Sequence, residues 1–138
     1  MKMQTKANPQ DVEGIWVTYK DGEDEVELQI ARAGNPRYLK AVDRFENPHR
    51  RDIQRGRLKT ETQIEINCRA MSVGLLRGWK EGALKTEDGD DLEFNEENAY
   101  LVLRYNPGVR DFVMEVALDE ERFRSDAIET TAKKSRST

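Results

Sequence analysis

Two runs of alternating apolar and polar residues, separated by a turn sequence, constrain the fold more than any other feature of the chain. The turn sequence is Asp21-Gly22-Glu23-Asp24. The apolar positions of the two runs are Ile15, Val17, Tyr19, Val26, Leu28 and Ile30. A period of two residues predicts two β-strands of a hairpin with one apolar face. Because an isolated hairpin is marginally stable in water, we expect this face to pack on other elements.

Helical periodicity dominates the chain after the hairpin. Asn35-Pro36 predicts a helix start, since Asn is a favoured cap and Pro fits the first turn, and Asn47-Pro48 predicts its end. A longer second helix has an apolar stripe that continues to Trp79. Asn95 predicts a third start, and Asn106-Pro107-Gly108 separates that helix from a fourth. The apolar stripes of these helices comprise Tyr38, Leu39, Val42, Phe45, Ile64, Cys68, Met71, Leu75, Trp79, Ala99, Val102, Tyr105, Val109, Phe112, Val113 and Val116. Of these, Ala99, Val102 and Tyr105 are expected to face inward.

These elements predict an α+β fold, with an N-terminal β-hairpin packed on a bundle of about four or five helices. The length of 138 residues suits one domain with a modest core. We expect a flexible N-terminus over 1–11, a single domain over 12–130 and a polar tail over 131–138. Lys80 to Glu93 is predicted to be a polar surface loop, and Phe123 and Ile128 to lie on a last short helix. The predicted core residues are Trp16 or Trp79, Phe45, Met71, Leu75, Phe112 and Val116.

Several patterns in the sequence bear on the cellular compartment. There is no run of 18 apolar residues that would span a membrane. The first residues lack the apolar stretch of a signal peptide. Cys68 is the single cysteine, so an intramolecular disulfide is excluded. Together these observations predict a protein of a reducing cytoplasm.

The sequence contains few residues suited to catalysis, metal binding or cofactor binding. His49 is the only histidine, and the adjacent Arg50-Arg51 opposes a cation or an imidazolium, so we expect an exposed helix-end residue. Cys68 lies on an apolar stripe and is expected in the core. Glu87 to Asp91 lacks the spacing of a calcium loop, and no glycine-rich phosphate loop is present. We therefore expect no enzymatic activity, no metal and no cofactor.

Charge is strongly segregated along the chain. Arg32 to Lys59 holds nine Lys and Arg against three acids, whereas Glu87 to Glu121 holds twelve acids against two Arg. Such segregation serves pairing within the fold or docking of a charged partner. The candidate partner-binding residues are Arg50, Arg51, Arg55 and Arg57. An acidic pI of about 5.2 and the lack of interleaved aromatic residues argue against nucleic acid as the partner.

The order of several short motifs resembles that of the tail assembly chaperones of long-tailed bacteriophages. The resemblance extends over roughly residues 12–126 and depends on the order and spacing of the motifs together. The matching pieces are Gly14-Ile15-Trp16-Val17, Ile30-Ala31-Arg32-Ala33-Gly34-Asn35-Pro36-Arg37-Tyr38, Gly78-Trp79, Asp88-Gly89, Leu92-Glu93-Phe94-Asn95-Glu96-Glu97-Asn98-Ala99, and Asp111-Phe112 leading to Phe123.

The resemblance implies a non-enzymatic protein that binds the tape measure protein and recruits tail tube subunits. It also implies a location in the host cytoplasm and absence from the mature virion. Members of that family often have a longer form that is made by ribosomal frameshifting. The codons of Ala132 to Ser135 would suit a frameshift site, because adjacent Lys codons can be rich in adenine. No catalytic or partner-contact residue is transferred by the resemblance, and the oligomeric state, a homo-oligomer included, stays open.

Two other functions also fit the sequence. The first is a structural phage protein that stays in the particle, such as a tail-terminator or head–tail joining subunit. The second is a small nucleic-acid-binding regulator that uses the four arginines of the basic segment.

Overall fold

The computed structural model describes residues 1–125, which form three β-strands and six α-helices. In chain order the elements are α1 (Pro9–Glu13), β1 (Ile15–Asp21), β2 (Asp24–Ile30), α2 (Pro36–Glu46), a 3-10 turn (Asn47–His49), α3 (Arg50–Gln54), α4 (Thr60–Gly74), β3 (Leu76–Trp79), α5 (Glu96–Tyr105) and α6 (Pro107–Ala117). Residues 120–125 are also helical. The mixed α+β class is confirmed. The described residues hold more helices than the predicted four or five.

The predicted hairpin is one part of a three-stranded antiparallel sheet in the order β1-β2-β3. Leu28 in the central strand lies opposite Val17 on one side and Trp79 on the other. The prediction that a helical stripe continues to Trp79 was therefore wrong, because α4 ends at Gly74 and the chain pairs with β2. The four-residue spacing of Leu75 and Trp79 is compatible with a helix as well as with a short buried strand. Backbone pairing with β2 decides in favour of the strand.

Helices α2 and α4 pack at backbone contact distance. A Cβ atom on Gly74 would lie 2.3 Å from the Cα of Tyr38, so only glycine permits this approach. Asn35 is 2% exposed and caps α2 by accepting a hydrogen bond from the backbone N–H of Tyr38 at 3.0 Å. Its amide also donates to the Gly74 carbonyl at 3.0 Å. Asn35 thus satisfies backbone groups at the start of one helix and the end of the other.

The hydrophobic core joins the inner face of the sheet to α4, α5 and α6. Of the residues predicted to form it, Trp79, Met71, Leu75 and Val116 are buried. Phe112 is half-buried against the core. Trp79 is the buried member of the predicted pair, whereas Trp16 lies on the outer face of β1 and is 47% exposed. The expectation for Phe45 was wrong, because Phe45 is half-buried outside the core cluster. Cys68 is fully buried, as predicted.

The two ends of the described chain meet at Arg32, which follows β2. Its guanidinium pairs with Asp11 of α1 and with Glu120 near the end of the described residues. The helix α1 begins inside the segment 1–11, whose flexibility stays a prediction. Ile128, the proposed tail over 131–138 and the codons considered for frameshifting lie outside the described residues.

Candidate partner-binding surfaces

The four arginines predicted to bind a partner lie on or beside the short helix α3, but they do not form one uniform patch. Arg50 pairs with Asp43, and its Nε donates to the side chain of Asn47 at 3.0 Å. Arg51, Arg55 and Arg57 are exposed, and within residues 1–125 they form no ion pair. These three residues are called the basic arm below. Whether it binds a partner stays a prediction.

Two other arginines, one inside the basic region and one beyond it, pair with acids of the stretch from Glu87 to Glu121. Arg37 pairs with Glu96 at 3.3 Å, and Arg69 pairs with Glu97 at 2.8 Å. Pairing within the fold was one of the two expected roles of the charge segregation, and it accounts for Arg37 and Arg69. The basic arm is the part for which docking to a charged partner is still open.

Two arginines that the sequence did not single out converge on the end of α4. The Nε of Arg37 donates to the Val73 carbonyl at 2.8 Å, and Nη1 of Arg77 donates to the same oxygen at 3.2 Å. Burial lowers the pKa of Arg77, and the charge of Arg37 lowers it further, whereas Glu96 acts in the opposite direction. Cations at a helix C-terminus interact favourably with its dipole, so this pair acts as a cap for α4.

The residues considered for chemistry are dispersed in the structure. His49 ends the 3-10 turn and is half-buried instead of fully exposed, and Cys68 lies in the core with its Sγ 3.8 Å from Nη1 of Arg110. Within residues 1–125 no three His, Cys, Asp or Glu side chains are placed to hold a metal ion. No described helix is long and apolar enough to cross a membrane.

The segment predicted to be a simple polar loop is an ordered turn that lies against α5. The backbone N–H of Leu92 donates to the Leu84 carbonyl at 2.9 Å, and the N–H of Thr86 donates to the Asp90 carbonyl at 2.8 Å. Gly89 adopts a positive φ of 87° inside this turn. The residues 84–92 therefore form a short hairpin-like turn, called the acidic turn below.

Trp79 fixes the acidic turn to the core. Its indole Nε1 donates to the Leu92 carbonyl at 2.8 Å, and its ring meets Phe94 edge-on with centroids 4.9 Å apart. The sequence contained a sign of this arrangement, since Leu84 and Leu92 are apolar residues placed on either side of the Asp88-Gly89 turn. Both side chains are half-buried and pack against the core.

A groove with a volume of about 490 Å³ lies between the acidic turn and the end of α5. Its lining residues are largely apolar, with polar groups at the turn. They are Leu84, Lys85, Thr86, Glu87, Leu92, Leu101, Val102, Tyr105, Asn106 and Val109. Tyr105 was predicted to face inward, but it is 71% exposed, and Leu101 one turn earlier is 39% exposed. The inward prediction for Tyr105 was wrong because the buried stripe of α5 lies on Ala99, Val102 and Leu103.

The charged groups at the rim of the groove are unequally compensated. Lys85 pairs with Asp91 at 2.5 Å. Arg104, on the last turn of α5, pairs with Glu61. Glu87, Asp88 and Asp90 are exposed and form no ion pair within the described part of the chain. The groove therefore combines an apolar floor with a rim of uncompensated negative charge.

Comparison with known proteins identifies the origin of the chain. No curated protein and no solved structure matches it. The family described as YdaY prophage protein matches residues 33–134, which include the groove and the basic arm but not β1 and β2. Since this match spans most of its length, the chain belongs to the YdaY prophage protein family and is derived from a phage.

Proposed function

We propose that this phage-derived protein is a non-enzymatic tail assembly chaperone. In this proposal it binds the tape measure protein in the host cytoplasm, recruits tail tube subunits and is absent from the mature virion. The order of motifs and the phage origin of the family support the proposal. The observation that carries it is the apolar groove, which leaves Leu101 and Tyr105 open to water. Exposed apolar surface rimmed by polar residues is typical of protein interaction sites.

The charge of the chain is consistent with this role. A long helical partner with apolar stripes would aggregate if its stripes stayed in water. Charged residues make up 36% of the chain, so a complex in which the groove covers an apolar segment would present a highly charged surface. Such a surface favours solubility.

Co-expression with the tape measure protein of the same prophage tests the proposal. The native chain is expected to copurify with that protein and to raise its soluble fraction. The double variant Leu101→Ser with Tyr105→Ser should lose both effects. Leu118→Ser is the matched control, because Leu118 is 66% exposed but lies outside the groove lining. Equal activity of the groove variant and the native chain would contradict the proposal.

Mass spectrometry of purified virions addresses a structural protein that stays in the particle. The chaperone proposal predicts that peptides of this chain are far less abundant in mature particles than peptides of the structural subunits. Abundant peptides would instead favour a tail-terminator or joining subunit.

A further inference from the structure

We infer that the groove accepts a basic amphipathic helix, whose apolar side chains enter the groove and whose Lys or Arg side chains face the acidic turn. The inference rests on the proposed function and specifies the kind of segment that the chaperone holds. It follows from three properties of the groove: the spacing of its exposed apolar residues, the state of its backbone groups and the charge of its rim.

The spacing of the apolar residues suits a helical ligand. Leu101 and Tyr105 are four residues apart on α5, so they lie on one face of that helix, and Val109 at the start of α6 also lines the groove. The ten residues of α5 span about 15 Å at the standard helical rise, which is enough for two to three turns of a helix lying alongside. Amphipathic helices bind such grooves through apolar residues spaced by three, four and seven positions.

The backbone around the groove argues against an extended peptide. A peptide that binds as an added β-strand needs a free row of backbone donors and acceptors. The acidic turn pairs its backbone across itself, through Leu92 with Leu84 and Thr86 with Asp90. The opposite wall is the helix α5, whose backbone is hydrogen-bonded internally. Side-chain burial is therefore the main attraction that the groove offers.

The rim selects the charge of the ligand. Glu87 lines the groove, and Asp88 and Asp90 lie on the same turn with no ion-pair partner among residues 1–125. The nearby cations are already paired, Lys85 with Asp91 and Arg104 with Glu61. Exposed acids attract cationic groups over a range of about 8–10 Å at moderate ionic strength, so a basic helix is favoured over an acidic one.

A second copy of the chain is a poorer occupant. The most basic element, α3, is a helix of five residues, and its apolar residue Ile53 is half-buried already. The exposed large apolar side chains on or directly after the described helices, outside the groove, include Val12, Leu39 and Leu118. They belong to different segments and form no stripe. Self-association through the groove thus lacks a suitable helix within the described residues.

Two synthetic helical peptides test the inference. Both carry the same leucines at positions i, i+4 and i+7, and they differ only in having Lys or Glu at the flanking positions. Fluorescence anisotropy with the full chain is expected to give about tenfold tighter binding of the Lys peptide at about 50 mM salt. The preference should fall below about threefold at about 500 mM salt, because screening weakens exposed ion pairs.

Matched charge reversals locate the effect. Changing Glu87, Asp88 and Asp90 to Lys should reverse the preference between the peptides. The same change in net charge at the hairpin tip, with Asp21, Glu23 and Asp24 changed to Lys, should leave it intact. These tip residues are exposed and lie outside the groove lining. Leu101→Ser with Tyr105→Ser should weaken binding of both peptides by about tenfold or more.

The outcomes separate this inference from the proposed function. Equal binding of both peptides, or a preference that follows the hairpin tip, would overturn the inference even if the tape measure protein still copurifies through the groove. A rim-dependent preference for the Lys peptide without capture of the tape measure protein would support the inference and overturn the proposed function. Absence of peptide binding, or concentration-dependent self-association lost in the groove variant, would also overturn the inference.

Discussion

The contact between α2 and α4 is closed, with the two helices touching, whereas the groove beside α5 is open to solvent. Each has a helix capped by an asparagine, Asn35 or Asn95. At the first site Gly74 lets the two helices touch, and the asparagine is buried between them. At the second, Asn95 is exposed and the side chains of Leu101 and Tyr105 have no covering element among the described residues. The comparison separates packing that serves the fold from apolar surface that is available to a partner.

The largest expected effect on stability comes from adding one methyl group where α2 and α4 touch. Gly74→Ala places a Cβ atom 2.3 Å from the Cα of Tyr38, so the helices must separate. We expect the free energy of unfolding to fall by about 2–3 kcal/mol, measured by urea denaturation. Because Ala is the better helix former by roughly 1 kcal/mol, a stabilised variant would contradict the close approach. Gly34→Ala is the control, since its Cβ would meet nothing within 4 Å, and it should change stability by less than about 0.5 kcal/mol.

The two asparagine caps give effects of similar or smaller size. Asn35→Ala removes the cap of α2 and also leaves the buried Gly74 carbonyl without its donor. We expect a loss of about 2–3 kcal/mol in the free energy of unfolding. Asn95→Ala removes a cap in which the side chain accepts from the Asn98 N–H at 2.7 Å in an exposed position. It should lose only about 1 kcal/mol. Equal losses for the two variants would mean that the burial of Asn35 and its bond to the Gly74 carbonyl do not contribute to stability.

Substitutions in the groove should weaken partner binding and leave stability nearly unchanged, unlike substitutions at the contact between α2 and α4. Leu101→Ser with Tyr105→Ser is expected to change the free energy of unfolding by less than about 0.5 kcal/mol per site, because both side chains are exposed. Binding of the tape measure protein, followed by surface plasmon resonance, should nevertheless weaken by about tenfold or more. A large loss of stability with unchanged binding would identify the groove as part of the core.

The basic arm should have the smallest effect. Reversing Arg51, Arg55 and Arg57 to Glu is expected to lower the association rate with the tape measure protein by about threefold at low salt, with little change at high salt. Arg50→Ala is the internal control, because Arg50 is already paired with Asp43. Tight, salt-dependent binding of nucleic acid that is lost in the reversed variant would favour a nucleic-acid-binding regulator instead.

Local signals explain what was predictable from the sequence. The period of two residues predicted β1 and β2, and Asn-Pro, Asn95 and Asn106-Pro107 predicted helix boundaries. Each of these signals acts within a few residues of the chain. The strand β3 was missed because Leu75 and Trp79 fit a helical stripe, and only pairing with the distant β2 decides between the two.

The groove depends on contacts that local patterns do not encode. It forms because Trp79 binds the Leu92 carbonyl and so brings the acidic turn beside α5. This contact joins residues 13 positions apart through a side chain. The orientation of Tyr105 was mistaken for a related reason, since a tyrosine at the end of an apolar stripe is read as buried until the neighbouring elements are placed. The basic arm was recognisable from composition, but the pairing of Arg50 was not.

Site-specific photocrosslinking in induced lysogens tests the central claim most directly. A photoreactive amino acid at position 105 is expected to capture tape measure protein before tails are complete, whereas the same group at position 118 captures none. Crosslinks from position 118 alone, or none from position 105 while tails assemble normally, would contradict the claim that the groove beside α5 holds the partner.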